Sequence, residues 1–135
     1  MKRSGPMKRA QYMTRRIVKT KRAKVSLEER AGKRGARARS LGLCERCGRR
    51  AACEVHHRKN RSQGGTWALS NLLDLCSPCH LDVTSGHRAV ALEPGCGWAV
   101  ASHQDPARTP AWLAGRGLCL LADDGEIHET EEEVA

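Results

Sequence analysis

Apolar positions fall in short bursts along the chain, and polar stretches interrupt every longer period. Residues 1–25 (MKRSGPMKRAQYMTRRIVKTKRAKV) carry no sustained apolar repeat, and a Lys-Arg pair recurs at 2–3, 8–9 and 21–22. Such a segment buries too little surface to offset its ordering entropy and is expected to stay mostly disordered until bound. Ser26-Leu27-Glu28-Glu29 matches a capping box, with Ser26 as N-cap and Glu29 at N3, which predicts a short basic helix over residues 27–40. Gly32 and Gly35 inside that helix weaken its propensity.

The compact part is expected to start at Leu41. Leu43-Cys44-Glu45-Arg46-Cys47-Gly48 reads as a metal knuckle, the glycine permitting a tight turn. Ala52–His56 reads as a short strand, and Arg58–Thr66 as a polar loop containing Gly64-Gly65. Ser70-Asn71-Leu72-Leu73-Asp74-Leu75 leads into Cys76-Ser77-Pro78-Cys79-His80, with a short helix over 79–85. Farther on, 97–100 reads as a strand. Leu118–Leu121, the turn at 122–125 and Glu126-Ile127 read as a hairpin, and 129–135 as a frayed acidic tail. The chain thus divides into a basic arm (1–40), a core (41–90) and a C-terminal extension (91–135).

Composition sharpens this picture. With no Phe, three Trp and one Tyr, the 135-residue chain is poor in the aromatic side chains that anchor cores. A small domain so composed commonly gains stability from a metal or from disulfides. No apolar stretch approaches the ~20 residues of a membrane span, and no apolar signal-peptide core is visible, so a reducing cytoplasm is expected. The net charge of +9 is uneven: 15 of 24 Lys and Arg lie in residues 1–39, and seven of 15 acids in 123–135. A basic arm of this kind suits either a solvated tail or a polyanion, since neutralised phosphates release counterions. Charge alone does not separate nucleic acid from an anionic membrane.

Seven Cys, four of them in two C-x-x-C pairs, suit thiolate ligation better than a closed set of disulfides. Cys44/Cys47 and Cys76/Cys79 are separated by 28 residues and offer the four ligands of a structural Zn²⁺ site. The competing reading is free thiols or two disulfides. Cys53, Cys96 and Cys119 are expected to be small buried apolar residues.

Between the knuckles stand Glu54-Val55-His56-His57-Arg58-Lys59, Gly64-Gly65 and Asn71-Leu72-Leu73-Asp74-Leu75-Cys76-Ser77-Pro78-Cys79-His80. Over residues 43–80 this ordered set resembles the HNH endonuclease family. The basic leader with HHRK and RSQGG is further similar to small HNH proteins of bacteriophages. The resemblance implies a small ββα-metal core, which with the four-cysteine zinc site, the disordered-to-helical basic arm and the short C-terminal β hairpin read above makes an α+β fold. It implies that His56 and His80 bind a catalytic divalent cation, His57 is the general base, and Asn71 braces the loop carrying that base. It also implies DNA as substrate and, by analogy, work beside a phage terminase in the cytoplasm of a bacterial host.

The chemistry has a reason. Phosphodiester hydrolysis needs an attacking water, a base, and positive charge for the transition state and leaving oxygen. Neutral imidazole is a suitable base near pH 7, and neighbours on a strand point to opposite sides, so adjacent histidines can take different tasks. Many family members carry a further metal-binding His one helical turn after the last; here that position is Thr84. The third ligand is therefore His87, Thr84 through water, or water alone, and the cation Mg²⁺, Mn²⁺, Ni²⁺ or Zn²⁺. Arg58, Lys59 and Arg61 are candidates for phosphate contacts, or simply a solvated loop. His103 and His128 read as structural. The competing function is a non-catalytic zinc-knuckle module that binds nucleic acid through its basic arm.

Overall fold

The computed structural model describes residues 25–86 and 95–130. The disorder expected for the N-terminal arm concerns residues that, Val25 apart, lie outside this range, as does the expected third ligand His87. Helix α1 spans Leu27–Ser40, where the capping box predicts it, and Ser26 Oγ accepts the Glu29 N–H at 3.1 Å. Glu28 and Glu29 occupy its first turn and Arg37 and Arg39 its last, each sign matched to the helix dipole. Its two glycines have a packing reason. A Cβ on Gly32 would stand 2.7 Å from the Trp67 carbonyl, and one on Gly35 2.6 Å from Leu69 Cδ2.

Strands β1 (Glu54–His57) and β2 (Leu72–Leu75) pair antiparallel, with His56 opposite Leu73 and His57 opposite Leu72. Strand β2 is buried along its length, so it reads as a continuous apolar run interrupted by Asp74. Helix α2 (Ser77–Leu81) follows, earlier than its predicted start, because Pro78 fits a first helical turn; it runs on into a π-helical turn over Asp82–Gly86. Two strands and a short helix therefore follow one another. The connection from β1 to β2 is held in shape at Gly65, where any Cβ would lie 1.8 Å from the Lys59 carbonyl oxygen.

The C-terminal part is a second sheet in which β3 (Ala111–Leu113), β4 (Gly117–Leu121) and β5 (Ile127–Glu129) form an antiparallel meander. The predicted hairpin is β4–β5; β3 had no clear signal. The strand expected over 97–100 is absent. Gly97 there has φ 66° and packs so closely on Pro110 that a Cβ would sit 1.8 Å from its carbonyl oxygen. Trp98 and Val100 are buried in this irregular segment. One cluster joins Leu73, Leu75, Trp98, Leu113, Cys119 and Leu121 with Cys44, Cys76 and Cys79, so the extension shares the core of the knuckles.

Ionic contacts dock α1 onto this unit. Arg39 forms a forked pair with Glu45 (Nε–Oε1 2.7 Å, Nη2–Oε2 2.9 Å), both side chains almost fully buried, and also donates to the carbonyls of Leu69 and Leu72. Fully buried Asp74 accepts from Arg37 Nε at 2.6 Å and Ser40 Oγ at 2.7 Å. Residues 27–40 are therefore packed on β2, and two of the arginines counted in the basic arm are committed to carboxylates inside the fold.

Candidate metal centres

The four knuckle cysteines converge. Their sulfurs all lie within 4.8 Å of one another, and Cys47 Sγ is 3.9 Å from Cys76 Sγ. A tetrahedral ion with Zn–S bonds of about 2.3 Å places its sulfurs ~3.8 Å apart, so the quartet fits a structural Zn²⁺. Main-chain N–H groups of Cys47 and Arg49 point at the Cys44 and Cys47 sulfurs, both at 3.5 Å, as the tight turn at Gly48 dictates. Burial pushes the Cys79 thiol up to about 12 and raises Cys76 as well. At Cys47 burial raises the thiol, but the N–H groups of Arg49 and Arg50 and the neighbouring Cys44 and Cys76 sulfurs together bring it down to about 6. Thiols this crowded ionise together only with a cation between them. Among the described residues this is the one group of three or more Cys, His, Asp or Glu whose donor atoms lie so close together.

A second pairing involves the expected histidines. His56, on the inward face of β1, is 4% exposed, and its ring centroid is 5.4 Å from that of His80 on α2. Each ring is held at one nitrogen. His56 Nε2 lies 2.8 Å from the Trp98 carbonyl oxygen, and His80 Nδ1 lies 2.7 Å from Glu54 Oε2. A carbonyl oxygen and a carboxylate only accept, so Nε2 of His56 and Nδ1 of His80 are the donors. In a neutral ring held this way, the other nitrogen presents its lone pair. Burial drives His56 down to about 4, with the charges of His80, His57 and Arg58 adding to the effect, so it is neutral at pH 7.

His57 does not join this pair. Its ring packs edge-on against Trp67 (centroids 4.2 Å apart), and Arg61 and Lys33 lie over the same indole at 5.5 and 5.6 Å. Strand alternation accounts for it: the neighbour of an inward residue on β1 must point the other way. Burial lowers the His57 pKa, and Arg61 lowers it further. Its Nε2 is buried without a hydrogen-bond partner among the described residues.

Asn71 is buried and its amide spans the β1–β2 connection. Oδ1 accepts Lys59 N–H at 2.7 Å, while Nδ2 donates to the carbonyls of Lys59 (3.1 Å) and Thr66 (3.0 Å). Arg58 requires a correction. Expected at the surface to contact phosphate, it is 2% exposed, and its guanidinium serves the carbonyls of Gly97, Ser70, Pro106, Thr109 and Pro110. The alternation that turns His57 outward returns Arg58 to the interior. Lys59 reaches the Gln104 carbonyl at 3.3 Å, and Arg61 is exposed. Thr84 Oγ1 donates to the His80 carbonyl at 2.7 Å. Cys96 and Cys119 are buried as expected, but Cys53 is exposed, its sulfur 3.2 Å from Ser77 Oγ.

Three residues of these centres went unassigned in the sequence. Glu54 was readable, since it stands two positions before His56 and so shares its face of β1. Trp67 and Trp98 were not, because nothing local marks the ring that will meet His57 or the carbonyl that will meet His56. Arg46 ties the centres together: its guanidinium stacks 4.5 Å from the Trp98 ring, bonds Asp82 at 3.1 Å and approaches the Cys79 sulfur.

Two antiparallel strands and a helix, bracketed by cysteine knuckles and carrying paired imidazoles, define a small α+β protein whose four-cysteine cluster could hold a metal ion. Residues 44–86 match the family model described as HNH endonuclease, a stretch that takes in the knuckles, β1, β2 and α2. Neither the comparison with curated proteins nor that with solved structures gives a match. No helix among the described residues is long and apolar enough to cross a membrane.

Proposed function

We propose that the protein is a metal-dependent DNA endonuclease whose HNH domain is a ββα-metal core, with His56 and His80 as cation ligands. The observation that carries this reading is the anchoring of both imidazoles. A metal-binding histidine characteristically donates its second ring nitrogen to a carbonyl or a carboxylate, and the Trp98 carbonyl and Glu54 occupy those two positions here. When bound, a divalent cation supplies a Lewis acid for the phosphoryl oxygen and the leaving 3′ oxygen. The nuclease assignment rests on the HNH match, and DNA is the substrate that this domain suggests.

His57 is the general base in this reading. Its lowered pKa keeps it neutral and able to accept a proton near pH 7. Asn71 fixes the loop that follows, and Lys59 and Arg61 stand on that loop for flanking phosphates. Since His57 rests against Trp67, catalysis requires its ring to turn from the indole when a phosphodiester binds. That same contact favours a second reading, a non-catalytic zinc module that binds nucleic acid.

Nicking of supercoiled plasmid separates the two. With Mn²⁺, Mg²⁺ or Ni²⁺, the wild type nicks, and His57→Ala slows the reaction by about 10²–10⁴-fold, the usual worth of a general base. Equal rates in wild type and His57→Ala remove the base assignment. Retention of the plasmid in a gel without any nicking, in both proteins, establishes the binding module instead.

A further inference from the structure

We propose that Arg58 is a positioning residue: by clamping residues 97–100 against the end of β1, it fixes which nitrogen of His56 is free to meet a cation. The inference rests on the reading of His56 as a ligand, and goes beyond it by naming what sets the ligand's tautomer.

The contacts that define the clamp surround Trp98. Arg58 Nε donates to the Gly97 carbonyl at 2.7 Å, and the Arg58 carbonyl accepts the Val100 N–H at 2.8 Å. Trp98 lies between these two attachments, and its carbonyl accepts His56 Nε2–H at 2.8 Å. The residue that follows β1 therefore grips the segment on both sides of the carbonyl that orients a histidine two positions earlier. The rest of the guanidinium reaches the carbonyls of Ser70, Pro106, Thr109 and Pro110, so the clamp also joins the end of the β1–β2 connection to the approach to β3.

A side chain kept only for packing would not need this arrangement. Burial pushes the Arg58 pKa down to about 10, so the group remains a cation in the interior. Among the described residues its bonds run to main-chain carbonyls, and a buried cation so placed costs more than an apolar residue of similar volume. What it supplies is geometry: five donors in a rigid plane register four separate stretches of chain. Neutral imidazole is balanced between two tautomers, and the hydrogen bond at one nitrogen decides which lone pair the other presents. With Nε2–H held by Trp98, Nδ1 of His56 is the nitrogen available to the cation.

The test uses the full-length, zinc-loaded chain with ¹⁵N-labelled histidine at pH 7, where ring-nitrogen shifts report the tautomer directly. The wild type is expected to show His56 as Nε2–H; finding it as Nδ1–H overturns the proposal without any variant. In Arg58→Lys, whose single ammonium cannot span these carbonyls, His56 is expected to become a mixture of tautomers and Ni²⁺ affinity to fall about 10–100-fold, the usual cost of losing an outer-shell partner. A folded variant with the wild-type tautomer and unchanged affinity overturns it. Should Arg58→Lys not fold, Val100→Pro removes the other attachment, its N–H bond to the Arg58 carbonyl, and the same two readouts decide. A wild type that holds Nε2–H yet binds no Ni²⁺ refutes the cation site alone, and loss of the tautomer in the variant still reports the clamp.

Discussion

Burying His56 has a cost that depends on pH. Its pKa falls from 6.5 to about 4 in the folded chain, so between those values the unfolded chain takes up a proton that the folded one refuses. Stability is therefore complete above pH 6.5 and is lost as the pH falls towards 4, by roughly 3 kcal/mol in all at 1.36 kcal/mol per pKa unit. In urea titrations at stepped pH, wild type should lose this increment and His56→Gln should not; parallel curves for the two proteins would contradict it. Residue by residue, the sequence disclosed identity better than direction. The run Glu54-Val55-His56-His57-Arg58 and strand alternation together imply that His56 and Arg58 share a face that His57 does not. Which face is buried depends on Trp98 and the carbonyls of 106–110, far along the chain. Arg58 was misread for that reason: a basic residue in a polar stretch looks solvated until the segment that covers it is known.

The elements were readable where a local rule fixes them. The capping box placed the start of α1, and the turn at 122–125 placed the β4–β5 hairpin. The failures came where packing overrides local preference, as at 97–100, where backbone contact at Gly97 excludes a strand, and at the short β3. The glycines of α1 show how packing shapes an element. Replacing Gly32 by Ala gains about 1 kcal/mol of helix propensity, yet the new methyl meets a backbone oxygen at 2.7 Å that cannot easily move. Overpacking of this kind costs about 1–3 kcal/mol, so Gly32→Ala should lower the melting temperature. Gly35→Ala meets only the end of the Leu69 side chain and should be close to neutral. Equal thermal shifts for the two variants would contradict the packing account.

Taken as a whole, the molecule is assembled around its knuckles. Cys44, Cys76 and Cys79 belong to the same buried cluster as Trp98, Leu113 and Leu121, and Arg46 links the Cys79 sulfur to the Trp98 ring. Removing a metal held by the quartet should therefore loosen the C-terminal sheet and the His56 anchor along with the knuckles, because metal-binding energy in such domains is folding energy. Stripping zinc with a strong chelator is expected to abolish the cooperative thermal transition, and adding Zn²⁺ back to restore it; an unchanged transition would show that the quartet is not a structural centre. The ordered C-x-x-C pairs made this site visible in the sequence. The imidazole pair was visible only as candidates, since no spacing rule reports that Glu54 and a carbonyl 42 residues away from His56 will hold the two rings.

The paired imidazoles as a second cation site can be counted directly. Zinc-loaded protein is dialysed to equilibrium against Ni²⁺, and total metal per chain is measured for wild type and for the His56→Ala/His80→Ala double variant. The expected result is one Ni²⁺ per wild-type chain beyond the knuckle zinc, absent from a double variant that keeps its zinc and its fold. Wild type that takes up no additional metal, or a double variant that takes up as much, contradicts the assignment.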